Sequence, residues 1–214
     1  MNKIILDLCG GTGAWSRPYK EAGFDVQVIT LPDHDVTKVF YQPNYVSFPI
    51  GDTGVVKNIE LKNIYGILAA PPCTEFSRAK STVPRNFTVG LVVVQACLDL
   101  IWTVQKDHRL AFWALENPMG MLRRFLGRPA YSFEPWWFGD SHSKQTDLWG
   151  WFNEPRQTVF ERPATVERAY HNKNSRFYSS PKCPDEYKHL KLDRAGIRSI
   201  TPPGFAQAFY RANK

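Results

Sequence analysis

The chain has 214 residues, of which 43% are hydrophobic and 22% are charged. This length suits one domain, or one domain with a small appendage, and it is long enough to bury a core. The composition excludes an intrinsically disordered chain. We expect no membrane helix, because the most apolar run, residues 90–104, is interrupted by Gln95 and Asp99 and is shorter than the roughly 18 residues needed.

The cysteines and the first residues favour a reducing cytoplasm. The four cysteines show neither a Cys-x-x-Cys pair nor regular spacing, which argues against a zinc site and against a disulfide scaffold. The first apolar stretch is too short for a signal peptide, because Asp7 interrupts it. We therefore expect a cytoplasmic protein with no metal site.

Positive charge is concentrated in the last third of the sequence. Residues 1–150 carry 15 Lys and Arg against 14 Asp and Glu, whereas residues 151–214 carry 12 against 6, so nearly all of the formal net charge of +7 lies in the second part. A basic segment on a neutral body is typical of a protein that binds the phosphate backbone of a nucleic acid. A solvated basic face is the alternative interpretation.

Strand and helix patterns alternate along the chain and predict an α/β doubly wound sheet. The predicted strands are 3–8, 24–30, 64–70, 110–115, 131–138 and 146–152, and the predicted helices are 14–22, 88–106 and 119–126. Within 198–212 a further helix is predicted after Pro202-Pro203, and we expect it to pack back on the body. Residues 31–62 are expected to be mostly loop with at most a small hairpin, 74–87 a polar loop, and 151–197 an irregular basic excursion. Functional residues of such a sheet lie at the carboxyl ends of its strands.

Three predicted strand ends carry candidate functional groups. After the first strand, Asp7-Leu8-Cys9-Gly10-Gly11-Thr12-Gly13 has the glycines of a tight turn that approaches a nucleotide-like cofactor, although an ordinary turn would use the same residues. Cys73 follows Pro71-Pro72 at the end of the third predicted strand and is a candidate nucleophile. In the alternative interpretation, Cys73 is only a small buried hydrophobic residue. Glu116 follows an apolar strand, where poor solvation raises a carboxyl pKa.

In combination these motifs resemble those of the DNA cytosine-5 methyltransferase family. The similar segments are the glycine turn, Pro72-Cys73-Thr74-Glu75-Phe76-Ser77, Glu116-Asn117-Pro118, His142-Ser143-Lys144-Gln145-Thr146, and Ser199-Ile200-Thr201-Pro202-Pro203. The sequences of several segments are similar to those of small phage-encoded members of the family that lack a full target-recognition domain. The resemblance implies a Rossmann-like catalytic domain of a class I S-adenosylmethionine-dependent methyltransferase, formed by residues 1–150 and 198–214. Residues 151–197 stand in the place of the recognition domain.

The resemblance implies a role for each candidate residue. Cys73 would add to C6 of a cytosine so that C5 can accept the methyl group, Glu116 would hold the N3 and N4 edge, and Lys144 would replace an arginine of the family. The cofactor would be S-adenosylmethionine, in contact with Asp7, Gly10, Gly11, Thr12, Gly13, Asp35, Pro72 and Ser199. Cys9 stands where the family has phenylalanine, and His142 and Thr146 replace its glutamine and second arginine.

The implied partner is DNA, with duplex as the expected form and the target base flipped out of it. Ser77, Arg78, Lys80 and Arg85 in the loop 74–87 are expected to contact the DNA backbone, with a purely solvated loop as the alternative. The short recognition segment leaves room for a dimer or a partner subunit. Restriction protection of phage DNA, in the cytoplasm of a bacterial host, is the setting that the resemblance implies.

Two other functions stay open. One is methylation of another pyrimidine substrate, such as tRNA or a free nucleotide, which the short recognition segment allows. The other is a catalytically weak nucleic-acid-binding protein on the same fold, which the substituted cofactor positions favour and the intact Cys73 and Glu116 oppose.

Overall fold

The computed structural model describes residues 3–78, 80, 83–164, 166–168 and 183–214, and its centre is a six-stranded sheet. The strands in chain order are β1 (Ile4–Leu8), β2 (Asp25–Ile29), β3 (Phe40–Gln42), β4 (Tyr45–Pro49), β5 (Val56–Glu60), β6 (Ile64–Ala69), β7 (Phe112–Pro118), β8 (Tyr131–Phe133), β9 (His142–Ser143), β10 (Thr146–Trp151) and β11 (Glu167–Arg168). The helices are α1 (Arg17–Glu21), α2 (Phe87–Asp107), α3 (Arg123–Leu126), α4 (Arg194–Ser199) and α5 (Pro203–Ala212).

The central sheet has the order β2-β1-β6-β7-β10-β8. The strands β2, β1, β6 and β7 are parallel, and β10 runs antiparallel to both β7 and β8. All five residues of β1 are buried, as expected for a parallel strand covered on both faces. The α/β class and the Rossmann-like sheet predicted from the sequence are confirmed.

Helix α2 covers one face of the sheet. The Asn86 side chain caps its first turn by accepting a hydrogen bond from the Val89 amide at 3.1 Å. Its buried residues are Val94, Cys97, Leu98, Leu100, Ile101 and Val104. With 21 residues it is longer than the sequence pattern indicated, and within the described part of the chain it alone meets the length and composition of a membrane span. A single such helix is weak evidence, because core helices of soluble proteins meet the same test.

Helix α5 packs on the opposite face, which confirms the prediction that the carboxyl-terminal helix returns to the body. Phe205 and Phe209 are buried, and the Phe205 ring stacks on Phe133 at a centroid distance of 3.9 Å. The Asp140 carboxylate accepts hydrogen bonds from the amides of Gly204 and Phe205, both at 3.2 Å. These bonds satisfy amide groups that the helix itself leaves unpaired at its first turn.

Several boundaries differ from the sequence prediction. Within residues 31–62, β3, β4 and β5 form a three-stranded antiparallel sheet, because Val46, Phe48 and Ile59 bury their side chains in the core. The strand predicted over 131–138 ends at Phe133, and a 3₁₀ helix follows over Pro135–Phe138. The first helix begins only at Arg17 and the helix predicted over 119–126 only at Arg123. The helix predicted after Pro202-Pro203 is confirmed as α5, whereas α4 begins in the segment predicted to be irregular.

An ion pair between a buried carboxylate and a half-buried arginine joins elements at the edge of the sheet next to β7. The Asp147 carboxylate on β10 is fully buried and accepts two hydrogen bonds from the Arg123 guanidinium, both at 2.6 Å. The Ser132 hydroxyl on β8 donates a third at 2.7 Å. The pair raises the pKa of Arg123 and joins α3 to the two antiparallel strands.

We expect Arg123→Ala to lower the free energy of unfolding by about 3 kcal/mol, because it leaves the Asp147 charge buried without a cation. Urea denaturation measures the change. The matched control is Arg124→Ala, which removes an exposed arginine of the same helix and should change stability by less than about 0.5 kcal/mol. Equal losses in the two variants would show that the ion pair does not stabilise this edge.

Candidate active site

A cavity of about 380 Å³ lies at the carboxyl ends of β1, β6 and β7. It brings together residues that the sequence predicted from separate motifs. Those in its wall are Asp7, Gly10, Gly11, Thr12, Pro72, Cys73, Ser77, Lys80, Glu116, Lys144 and Ser199. Four other predicted residues, Gly13, Asp35, Arg78 and Arg85, are outside the wall.

The glycine turn forms the floor of the cavity beyond β1. Backbone φ angles are positive at Cys9 (57°), Gly11 (55°) and Gly13 (70°), so the chain reverses in the left-handed region immediately after the strand. A Cβ atom at Gly10 would collide with the Asp7 carboxylate, so glycine is required there. The turn therefore presents backbone, without side chains, to the space above Asp7.

Asp7 is fully buried and only half satisfied. The Ser16 hydroxyl donates to its Oδ2 at 2.5 Å, while Oδ1 has no hydrogen-bond partner within the described residues. Burial raises the pKa of Asp7 to about 6, and the bond from Ser16 opposes this rise. The nearby Trp15 Nε1 is likewise buried without an acceptor in the described part of the chain. One wall thus offers a buried acceptor and a buried donor to a ligand.

Cys73 lies half-buried in the cavity, four residues beyond β6. The Phe76 and Ser77 amides donate to its carbonyl oxygen at 3.0 and 2.8 Å, so the residues after the cysteine form a tight turn. Burial raises the pKa of the Cys73 thiol, and the negative charge of Glu116 acts in the same direction. The positive charges of Lys144 and Arg198 lower it and partly offset the burial.

Glu116 reaches the cavity from β7, and the Lys144 charge acts on it as well as on Cys73. Burial raises the pKa of its carboxyl group, Lys144 lowers it, and Asp147 raises it. The next residue, Asn117, is buried and its side-chain amide donates to the Pro71 carbonyl at 3.0 Å. This bond ties the end of β7 to the segment that carries Cys73, so the two candidate catalytic groups are held on one frame.

Lys144 enters from the short loop between β9 and β10. Its ammonium group donates to the Arg198 carbonyl at 3.4 Å, which connects that loop to α4. Burial and the Lys144 charge lower the pKa of His142 to about 4, so its imidazole is neutral at neutral pH. Lys144 is therefore the cation of this loop that acts on Cys73 and Glu116.

Two predicted cofactor contacts do not reach the cavity. The Asp35 carboxylate accepts hydrogen bonds from the Thr37 amide and hydroxyl at 2.9 and 2.7 Å, and so caps a 3₁₀ helix over Val36–Lys38. Gly13 lies behind the wall, where its amide donates to the Gly10 carbonyl at 2.9 Å. Asp35 thus stabilises its own turn, and Gly13 completes the glycine turn.

The loop over 74–87 is organised around the Glu75 carboxylate. Lys80 donates to both of its oxygens at 2.6 and 2.7 Å, and the Asn86 amide donates to one of them at 2.6 Å. Arg85 donates to the carbonyls of Glu75 and Lys80 at 2.8 and 2.6 Å. The cationic groups of Lys80 and Arg85, predicted to contact DNA, therefore hold the loop together, whereas Arg78 is exposed.

The same loop is anchored to the segment after β7. The Met121 amide donates to the Phe76 carbonyl at 2.8 Å, and Gly120 forms a bridge with Ser77. A Cβ atom at Gly120 would collide with the Phe76 carbonyl oxygen. The backbone after Cys73 therefore lies directly against the backbone after Glu116.

Sequence reasoning missed several cavity residues. Arg198, Ala195 and Thr201 line the wall from α4 and the segment that follows it. Arg198 directly precedes Ser199, at the start of the last recognised motif, so its position next to that motif was the available signal. The part of the basic excursion at 169–182 lies outside the described residues.

We expect the buried Asp7 carboxyl to destabilise the ligand-free protein as the pH rises. Its pKa is raised from 3.8 to about 6, so its contribution to stability is complete below pH 3.8 and is lost as the pH rises through about 6. The loss is at most about 3 kcal/mol. Between pH 4 and 7, Asp7→Asn should therefore gain stability relative to the unmodified protein in urea denaturation. Asp33→Asn, at an exposed position, should track the unmodified protein.

We expect Glu75→Gln to open the loop over 74–87. The substitution removes the charge that holds Lys80 and weakens the hydrogen bond from the Asn86 amide. The free energy of loop opening should fall by about 1 kcal/mol, which raises the open population about fivefold. Trypsin cleavage after Lys80, followed by mass spectrometry, should speed up about fivefold. Glu161→Gln, an exposed substitution away from the cavity, is the control. Unchanged cleavage would show that Glu75 does not hold the loop.

A comparison with curated proteins found no match. A scan of family models gave one informative result for the first part of the chain. Residues 4–93, which contain the glycine turn and Cys73, match the model described as C-5 cytosine-specific DNA methylase.

Proposed function

We propose that the protein transfers a methyl group from S-adenosylmethionine to C5 of a cytosine in DNA through a covalent adduct with Cys73. One observation carries the proposal: Cys73, Glu116 and the glycine turn, from three separate strands, line one cavity. That arrangement places a nucleophile and a carboxyl group beside a turn that suits a nucleotide-like ligand. The family match over residues 4–93 supports the same reaction class.

The wall beside the glycine turn fits S-adenosylmethionine. Asp7 Oδ1 and Trp15 Nε1 have no hydrogen-bond partner among the described residues. The first can accept from a ligand ammonium group, and the second can donate to a ligand carboxylate. The cofactor's amino-acid portion carries both groups, and the open space beside Gly11 leaves room for it. When bound, the cofactor supplies an electrophilic methyl group. Its ammonium charge would also favour the ionised form of Asp7.

Cys73 would attack C6 of the cytosine as a thiolate. Burial keeps the resting thiol protonated at neutral pH, and Lys144 and Arg198 supply the positive charge that favours its ionisation. Formation of the Sγ–C6 bond makes C5 nucleophilic. Methyl transfer would leave the cofactor as a neutral thioether. A base would then take the C5 proton while the Sγ–C6 electron pair returns to sulfur, which restores the Cys73 thiolate.

Glu116 would act on the opposite edge of the same ring. Its raised pKa favours the protonated form, which can donate to N3 while accepting from the exocyclic amino group at N4. Protonation at N3 withdraws electrons from the ring and makes C6 more electrophilic. Lys144, whose charge acts on both Glu116 and Cys73, would keep these two groups from repelling each other when both are ionised.

The cavity can receive a base only when that base has left the helical stack, since C5 and C6 are covered inside a duplex. The proposal therefore includes base flipping from duplex DNA or use of single-stranded DNA. We also propose, from the sequence alone, that the protein acts in the cytoplasm and protects phage DNA from restriction. A dimer or a partner subunit would add DNA-binding surface.

One observation favours a second candidate, a catalytically weak binding protein on the same fold. Asp35, the predicted acidic contact to the cofactor, is held in a 3₁₀-helix cap outside the cavity wall. Methylation of tRNA or of a free nucleotide uses the same cavity and is distinguished only by the substrate offered.

We expect the purified protein with S-adenosylmethionine to form 5-methylcytosine in DNA, detected by nucleoside mass spectrometry. Duplex DNA, single-stranded DNA and tRNA are offered in parallel. Cys73→Ala should abolish the product, because it removes the nucleophile, and Cys97→Ala should retain it, because that cysteine is buried in α2. Glu116→Gln should lower the rate by about 10²-fold or more.

A 5-fluorocytosine oligonucleotide tests the adduct directly, because fluorine at C5 prevents its release. A covalent complex that forms with the unmodified protein and not with Cys73→Ala is expected. Product in tRNA alone would replace DNA as the substrate. DNA binding with no product and no trapped complex would replace the proposal with the binding protein.

A further inference from the structure

Arg198 is a cation at the mouth of the cavity to which no predicted motif assigns a role. It lies on α4, its side chain is exposed, and it also lines the cavity wall. Its guanidinium makes no hydrogen bond or ion pair with the residues that the structure describes. An arginine in this position offers a planar pair of donors to a ligand that enters the cavity.

The backbone of Arg198 is held even though its side chain is free to reach outward. The Lys144 ammonium donates to its carbonyl at 3.4 Å. The Asp193 carboxylate caps α4 through the Gly196 amide at 2.7 Å, and the Ser199 hydroxyl donates to the Gly196 carbonyl at 2.7 Å. The guanidinium therefore projects from a fixed base beside the groups that would meet the cytosine.

The other cations near the cavity are engaged. Lys80 lines the wall but pairs with Glu75, and Arg85 donates to two carbonyls of the same loop. Lys144 lies deeper and acts on Cys73 and Glu116. Within the described residues of the wall, Arg198 is thus the cation that combines exposure with an unengaged side chain.

A cytosine nucleotide that places its base between Cys73 and Glu116 must leave its sugar and phosphate at the mouth. The base is neutral, so the cavity interior can hold it with the groups already described. The phosphate is negative and needs a cation that remains near solvent. Arg198 meets this need on the side of the cavity formed by α4, and Cys73 and its loop form another side.

We propose that Arg198 binds a phosphate group of the target nucleotide while the base occupies the cavity. This inference rests on the proposed function, since it assumes that a cytosine nucleotide enters. It assigns a substrate contact to the carboxyl-terminal segment, which follows the short region at 151–197. The same positive charge lies close enough to act on Cys73. Phosphate contact and thiolate stabilisation would then come from one side chain.

The test compares DNA binding by Arg198→Gln, Arg198→Lys and the unmodified protein, all in a Cys73→Ala background that cannot form the adduct. Fluorescence anisotropy with a labelled cytosine-containing oligonucleotide is measured from 50 to 300 mM NaCl. We expect Arg198→Gln to bind about tenfold more weakly at low salt, and the salt slope to fall by about one phosphate contact. Arg198→Lys should keep the slope and part of the affinity.

The matched control is Arg211→Gln on α5, which removes the same charge at an exposed position outside the cavity wall. It should leave affinity and slope close to those of the parent. An unchanged slope in Arg198→Gln, or an equal fall in both glutamine variants, would overturn the proposal. The first result shows no phosphate contact, and the second shows only general attraction to a basic protein.

A second arm distinguishes the source of the phosphate. Deoxycytidine monophosphate and deoxycytidine compete separately against the oligonucleotide. A free nucleotide that competes at least tenfold better than the nucleoside, with this advantage lost in Arg198→Gln, identifies a mononucleotide phosphate. Failure of both to compete, with the slope change present, assigns the contact to the polymer backbone. Either result supports the contact, and equal competition by the two together with an unchanged slope rejects it.

These measurements need no methyl transfer, so they separate the two proposals. A slope change without 5-methylcytosine formation would retain Arg198 as a phosphate contact and reject the enzyme. Methyl transfer with an unchanged slope would retain the enzyme and reject the role of Arg198.

Discussion

The hydrogen bond from the Asn117 side chain to the Pro71 carbonyl is the contact on which the candidate site depends. At 3.0 Å it joins the end of β7 to the segment after β6, and both of its residues are buried. Parallel strands place their carboxyl ends on one edge, but they do not by themselves fix the loops that follow. This bond does so for the segment that carries Cys73, which it ties to the strand that carries Glu116. The Met121 amide and the bridge between Gly120 and Ser77 join the same two segments further along the chain.

Burial acts on three acidic groups of the site in the same direction. Burial raises the pKa values of Asp7, Cys73 and Glu116, so three groups that can carry negative charge are biased toward their neutral forms. Lys144 offsets this for the latter two. A cationic ligand near Asp7 would favour the ionised form of that carboxyl group. Ligand binding and ionisation are thus coupled through ordinary desolvation.

The sequence was most informative where local pattern and fold agree. Continuous apolar runs followed by glycine, proline or a single acidic residue identified β1, β6 and β7. Parallel strands that are covered on both faces need such runs, because both sets of side chains are buried. The sheet formed by β3, β4 and β5 was missed because proline and glycine are frequent there, although they lie in turns and at strand ends. Asp35 was assigned to the cavity by its order after β2, but its side chain is satisfied two residues away by Thr37.

Other features could not be predicted because they depend on contacts between distant segments. Glu75 organises a loop through partners five to eleven residues away, and composition alone suggested only a polar loop. Arg198 lines the cavity, and its carbonyl accepts a hydrogen bond from Lys144, 54 residues earlier. Such pairings follow from the folded geometry, whereas residue type and periodicity describe only the neighbourhood along the chain.

The close approach of Gly120 to Phe76 has a consequence for how this sequence can change over time. Any side chain at position 120 meets a carbonyl oxygen of the backbone, which cannot rotate away as a flexible side chain would. A replacement must therefore displace the peptide three residues after Cys73. Position 120 carries no chemical group that could take part in a reaction, yet it should vary as little as the nucleophile itself. Invariance here would reflect the space between two backbones.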